Sequence, residues 1–414
     1  MTAPQLLFYI VAALLIQLAA GVGFVVWRRH GSAALAPVSV ADEVSERVTG
    51  AWSGWREFRV ARRVFEDRSR SMCSFHLEPV DGVALPPFRP GQFLTFMLQV
   101  AGTDGPHPDG QRTITRCYSL SDRPDPKEYR VTIKRVLPPT ARPDVPAGVS
   151  SSHFHDRVRE GDVLKVKAPA GHFFIDPDPN IPAVLIAGGV GITPMLSMLR
   201  WCLAEQPGRA VHLYYGVRNS SDHAFKDKLA QLAAQHRNFH LNVVYSRAGV
   251  GDDREFQHTG HVDVELLRRS LPHGRHQFYV CGPPALMASL VPALAAWGVP
   301  REDIHFEAFG PASAHLPGAG TDPAAPPPAE PVEVRFRRSG RTLAWDGQDE
   351  NLLDFAERHG VDVESGCRSG GCGSCETRLL AGAVVYAQRP DHDIAPGHCL
   401  LCVGKPESAV VLEA

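Results

Sequence analysis

Residues 183–201 read AVLIAGGVGITPMLSMLRW. A short uncharged, apolar run meets three closely spaced glycines, and an apolar stretch of helical length follows at once. A buried strand, a tight turn and a helix in that order make the unit from which parallel α/β sheets are assembled. AVHLYYGVR, FHLNVVYS and HQFYVCGPP repeat the strand character downstream, with helical AFKDKLAQLAAQH between them. Residues 177–310 are therefore expected to form a parallel sheet covered by helices on both faces. Upstream, over residues 55–176, REFRVARRVF, PGQFLTFMLQV, YRVTIKRV and DVLKVKAPAG alternate Val, Phe, Ile and Thr with Arg and Lys. That alternation suits antiparallel strands with one wet face, closing as a compact barrel.

Two further segments flank this pair. Residues 311–331, PASAHLPGAGTDPAAPPPAEP, are too poor in large apolar side chains to build a core, and they read as a semi-rigid linker. Residues 332–414 are then a separate domain. At the other end, residues 6–27 carry no charge, and 22 residues in a helix cover the roughly 30 Å hydrocarbon layer. A single-pass anchor over residues 5–28 is expected, followed by a small, polar tether over residues 29–54. Arg28 and Arg29 follow the apolar run and no Lys or Arg precedes it, which places the N-terminus outside and the remaining domains in the cytoplasm. A secretory signal competes with this reading, since Ala34-Leu35-Ala36 resembles a cleavage site. The missing basic n-region and the length of the apolar run oppose it.

The chain has 414 residues, with 43 Lys plus Arg against 45 Asp plus Glu, a net charge of −2. No global basic field exists to hold nucleic acid, and none is expected as a partner. Nine cysteines, an odd count with five in the last 48 residues, suggest a metal site rather than a disulfide framework. Cys367, Cys372 and Cys375 stand at C-x4-C-x2-C spacing, and Cys402 lies 26 residues further on. Three thiolates so spaced with a distant fourth is the plant-type [2Fe–2S] arrangement. Zinc sites favour C-x2-C pairs instead. Cys399 competes for the fourth position, but Cys402 is expected at the start of a strand leaving the loop and is preferred.

Three other stretches carry chemistry. In Arg116-Cys117-Tyr118-Ser119, an Arg can grip pyrophosphate, an aromatic ring can lie on a flavin, and a hydroxyl can reach a ring nitrogen. Gly148-Val149-Ser150-Ser151 precedes a short helix, and a glycine-led helix start is an anion seat. Gly188, Gly189, Gly191, Ile192, Thr193 and Pro194 form the turn from strand to helix, suited to a dinucleotide pyrophosphate although it lacks the G-x-G-x-x-G pattern. Cys281-Gly282-Pro283 ends a later strand at the carboxyl edge, where open α/β sheets bind ligands.

Together these motifs resemble the ferredoxin–NADP reductase superfamily, in the branch with a C-terminal plant-type ferredoxin exemplified by phthalate dioxygenase reductase. The reductase part also looks like that of flavohaemoglobins in RCYSLS, GVSSSHFHD and KAPAGHFF. The resemblance covers roughly 56–414. It leaves the transmembrane helix and tether unmatched, and beyond them it implies three parts: an antiparallel β-barrel flavin domain, an α/β parallel-sheet nucleotide domain and an α+β (β-grasp) ferredoxin domain. It implies FAD, with FMN less favoured, a [2Fe–2S] cluster, and NADH or NADPH as electron donor. By the same resemblance Ser119, Cys281 and Glu307 surround the hydride-transfer centre and Phe309 covers the flavin. Arg218 either grips a 2′-phosphate or caps its turn, while Asp222 favours a ribose diol. The function so implied is electron transfer from NAD(P)H to a separate terminal oxygenase, hydroxylase or desaturase. A diaphorase or ferric-chelate reductase, and a redox sensor or electron-transfer scaffold, are the alternatives. From Pro331 on there are 13 Asp/Glu and nine Lys/Arg, so the partner is expected to present a basic face.

Overall fold

The computed structural model describes residues 51–414 apart from 102–110, 139–145, 250–251, 253–254, 310–330, 367, 369, 387–389 and 391. The anchor, most of the tether, most of the Pro/Ala-rich linker and Cys367 lie outside the described residues. Among the described residues no helix is long and apolar enough to cross a membrane.

Six antiparallel strands come first: β1 (Arg56–Phe65), β2 (Met72–Pro79), β3 (Phe93–Ala101), β4 (Gln111–Ser119), β5 (Tyr129–Lys134) and β6 (Val163–Ala170). Their order is β4-β3-β6-β1-β2-β5, and an isolated bridge from Leu120 to Val131 ties the two edges into a barrel. The alternation read from the sequence is obeyed on β6, where Leu164 and Val166 point inward and Val163 and Lys165 outward. Phe58, Phe75, Phe96, Tyr129 and Phe154 fill the interior. Phe154 comes from helix α1 (Val149–Asp156), which plugs one end.

A second sheet is parallel throughout. It contains β7 (Ala183–Gly188), β8 (Val211–Val217), β9 (Phe239–Tyr245), β10 (His258–Thr259), β11 (Gln277–Gly282) and β12 (Ile304–Ala308), in the order β10-β9-β8-β7-β11-β12. Every residue of β7 and of β11 is buried, as strands covered on both faces require. Helices α2 (Ile192–Glu205), α3 (Lys226–Gln235), α4 (Val264–Ser270) and α5 (Pro284–Ala296) supply the cover, leaving one apolar core on each side. Asp263 caps α4 by accepting from the Leu266 amide, and Pro284 stands at the first turn of α5, where its missing N–H costs no intrahelical bond. The winding reverses between β7 and β11, and there the crevice opens.

The C-terminal domain has a five-stranded mixed sheet over helix α6 (Leu352–Arg358). Its strands are β13 (Val332–Phe336), β14 (Arg341–Trp345), β15 (Glu376–Ala381), β17 (His398–Leu400) and β19 (Val410–Leu412), in the order β14-β13-β19-β15-β17. A small ribbon pairs β16 (Val384–Tyr386) with β18 (Gly404–Pro406). Trp345, Phe336 and Phe355 pack at its centre. Cys402 sits in the turn between β17 and β18, not at a strand start as its sequence context suggested, because the chain reverses there over residues 401–403.

Candidate functional site

Strand β4 carries the first predicted motif to the rim of the barrel. Pairing with β3 sets Arg116 opposite Phe96, Cys117 opposite Thr95, Tyr118 opposite Leu94 and Ser119 opposite Phe93. The Tyr118 ring stands edge-on to Phe96 and Phe154 at 5.8 and 5.2 Å, so its plane is fixed from two sides. Its hydroxyl lies 2.6 Å from Ser150 Oγ, and burial pushes the phenol up to about 12, keeping it neutral. The Arg116 guanidinium donates to its own strand at Thr115 O, 2.7 Å away. Gly148 takes an extended conformation as the residue before α1, and exposed Val149 opens the helix. Ser151 was expected to face a phosphate. Its hydroxyl instead donates to Gly148 O at 3.0 Å and accepts the Val136 amide at 3.1 Å, so it locks the turn. The backbone N–H groups of the first turn of α1 are what remains there that could hold an anion.

The glycine turn after β7 is a single 3-10 turn, Gly189–Gly191, leading directly into α2. Gly189 has φ +53°, in the left-handed region that glycine adopts without strain. Gly191 is required for a different reason: a Cβ there would overlap the Cys281 carbonyl at the end of β11. The glycine thus lets the turn lie against Cys281-Gly282-Pro283, which joins two separate sequence motifs at one place. Ile192, Thr193 and Pro194 are buried in the first turn of α2, and the Thr193 hydroxyl donates to Val190 O at 3.0 Å, closing that turn.

Beside the turn lies a cleft of about 540 Å³, walled by Gly188, Gly189, Arg218, Asp222, Pro283 and, from the barrel, Lys134. Its size suits a dinucleotide half. Arg218 Nε and Asp222 Oδ2 are paired at 2.5 Å on its lip. Lys134 was not foreseen, since nothing near β5 marks it as part of a site formed by residues far along the chain. Burial lowers its pKa, opposed by the Asp222 carboxylate. Ser246 and His261, also in the wall, follow the carboxyl ends of β9 and β10 and could have been inferred from strand position alone.

Between the barrel rim and this cleft the predicted trio meets. Parallel register places Cys281 beside Ala187 on one flank and Glu307 on the other. Ser119, 5% exposed, donates to Glu307 Oε2 at 3.4 Å across 188 residues of sequence. Burial, reinforced by Glu307, pushes the Cys281 thiol well up, so it stays protonated. Phe309 packs against the same core as Val190, on this side of the sheet.

In the C-terminal domain Cys372, Cys375 and Cys402 are all buried. The Cys402 amide donates to Cys375 Sγ at 3.4 Å, bringing the distant fourth cysteine to the loop. A Cβ at Gly366 would stand 2.6 Å from Cys372 Sγ, so the backbone there must stay bare beside the sulfur. Buried thiols, an N–H directed at sulfur and side-chain-free backbone fit an anionic iron–sulfur cluster. Among the described residues no three His, Cys, Asp or Glu side chains converge on one point as a single-ion site. For the flavin, the edge-fixed Tyr118 ring, the Ser119 hydroxyl and the α1 turn are the fitting donor set.

Known proteins are similar to the domains that carry these residues. Residues 185–291 match the family described as oxidoreductase NAD-binding domain, and residues 335–407 match the 2Fe-2S iron-sulfur cluster binding domain. The chain is 37% identical over 280 residues to a flavohemoprotein of Halalkalibacterium halodurans, covering 66% of this chain and 65% of that protein. It therefore spans slightly under two thirds of that relative. The flavohem-like FAD/NAD-binding domain of nitric oxide dioxygenase from Vibrio cholerae O1 biovar El Tor is similar at 34% identity and a TM-score of 0.53, over 62% of this chain and 98% of that one. A solved phthalate dioxygenase reductase, described as a modular structure for electron transfer from pyridine nucleotides to [2Fe–2S], is similar at 30% identity and a TM-score of 0.52, over 87% and 98%.

Proposed function

Because this chain belongs to the ferredoxin–NADP reductase superfamily, as an NAD(P)H-dependent oxidoreductase with a C-terminal [2Fe–2S] domain, we propose that it delivers electrons from NADH to a separate terminal oxygenase, hydroxylase or desaturase at the cytoplasmic face of a membrane. The observation that carries the reading is the meeting of Ser119, Cys281 and Glu307 where the barrel rim faces the nucleotide cleft. When bound, the flavin supplies the exchange between a two-electron donor and one-electron carriers, and the cluster supplies the one-electron exit.

The chain's own residues have distinct tasks. Tyr118, fixed by Phe96 and Phe154, provides a flat wall at the rim. Ser119 holds a hydroxyl at the meeting point, and Glu307 keeps a carboxylate within reach of it. Cys281, protonated and covered, gives that centre an uncharged floor. Lys134 brings a cation to the cleft against dinucleotide phosphate, beside the glycine turn at Gly188 and Gly189. The uncharged residues 6–27 support the anchoring part of the proposal.

Under anaerobic mixing, NADH should bleach the flavin first and the cluster afterwards. Deleting residues 1–50 should leave that sequence unchanged while lowering coupled turnover with the acceptor in membranes. Equal coupled rates would refute the anchoring role. A chain whose flavin is not bleached by NADH would refute the reductase reading itself.

The preference for NADH over NADPH rests on Asp222. Its carboxylate engages Arg218 and sets a negative charge on the lip of the cleft, unfavourable to a ribose 2′-phosphate. Asp222→Asn should free Arg218 and move the NADPH-to-NADH ratio of kcat/KM upward about tenfold, the equivalent of roughly 1.4 kcal/mol. An unmoved ratio would place the discrimination elsewhere.

A further inference from the structure

Among the contacts between the barrel and the parallel-sheet domain, one carboxylate gathers charges from both. Asp122, three residues beyond Ser119, accepts from Arg130 of β5 at 3.1 Å and from Arg200 of α2. Its backbone carbonyl accepts from Ser197 of the same helix at 2.7 Å. Helix α2, which follows the glycine turn at the nucleotide cleft, is thereby pinned at two points to the segment that follows the flavin motif. Arg130 is 3% exposed, is held by the Ser121 carbonyl and hydroxyl, and lies 5.4 Å from the Phe225 ring of the sheet domain.

The charges there are unbalanced without Asp122. Arg130 on the barrel side confronts Arg200 and Lys228 on the sheet side, with Asp122 and Glu66 as the acidic groups facing them. Burial, then the two arginines, push the Lys228 ammonium down to about 8. Replacing the Asp122 carboxylate therefore cuts its ion pair to Arg200 of α2, while the Ser197 bond to its backbone carbonyl stays, and leaves like charges opposed across the interface.

We propose that Asp122 is a positioning residue for hydride transfer, a salt-bridge clamp that sets the nucleotide cleft at working distance from the flavin rim. NADH is oxidised by two electrons, the flavin is reduced by the same two, and Asp122 touches neither. The proposal rests on the flavin and nucleotide seats assigned above. Its magnitude follows from the geometry of the transfer, since a misplacement of about 1 Å can cost on the order of 100-fold in rate.

The test uses the full chain loaded with flavin and cluster, mixed anaerobically with NADH and with NADH deuterated at the transferred position. Asp122→Asn should slow flavin reduction roughly 10- to 100-fold. Flavin content and the NADH concentration for half-maximal rate should hold within about twofold, and the isotope effect should persist. Lys228→Met, added to Asp122→Asn, should recover part of the rate by removing one of the opposed cations, a response that a general loss of structure would not give. If Asp122→Asn fails to retain flavin, Arg200→Ala carries the same test with a smaller slowing. Wild-type speed in Asp122→Asn, or a slow variant that Lys228→Met does not quicken, overturns the clamp while leaving the seat assignment intact. An unsubstituted chain that NADH cannot reduce overturns the seats, and the clamp with them.

Discussion

Cys402→Ser is expected to remove the iron–sulfur absorbance and nearly all of about two irons per chain, while the flavin stays bound and is still reduced by NADH. Cys402 is 2% exposed, and its own amide points at Cys375 Sγ, so residue 402 both supplies a thiol and orients a neighbouring one. A serine oxygen is a harder and weaker ligand for iron than a thiolate. Reduction of a one-electron acceptor such as cytochrome c should fall to the background of the flavin alone. Cys399→Ser provides the contrast. Cys399 lies in register with Thr377 in β17, and burial pushes its thiol up to about 12, the environment of a small core side chain. That variant should keep its iron and its spectrum. Iron lost from Cys399→Ser and kept in Cys402→Ser would exchange the two assignments.

Gly191→Val should be as severe at the nucleotide cleft. Even the Cβ would overlap the Cys281 carbonyl, and the branched side chain would push the turn and the start of α2 off the end of β11. Flavin reduction by NADH should fall by about 100-fold or more, given how steeply transfer depends on placement. Dithionite, which needs no nucleotide seat, should still reduce both flavin and cluster. A variant that NADH reduces at the wild-type rate would show that the turn does not set the nucleotide's position.

Much of this was legible in the sequence because burial writes itself into composition. The fully buried β7 and β11 appear as unbroken apolar runs, and β6 as alternation, since one face of its barrel strand meets water. The trio Ser119, Cys281 and Glu307 could be named only by resemblance to known reductases, since no local pattern around Glu307 marks it. Hydroxyl direction could not be read in the same way. Ser151 serves its own turn, which depends on the Val136 amide brought back by β5 and the loop after it. Lys134 stands in the alternation of β5 as an ordinary wet-face lysine, and Asp122 stands in no pattern. Their roles come from what the fold sets opposite them, at separations of dozens of residues that no local window contains.

Lys134 belongs to a strand of the barrel, yet it forms part of the wall of a cleft that is otherwise made by the parallel sheet. If the proposed seat is right, recognition of the dinucleotide is a property of the seam and not of either module. The electron donor cannot be fully gripped until both halves have folded and met, so docking of the coenzyme doubles as a check on assembly. A half-built reductase would thus be spared from consuming reductant to no purpose.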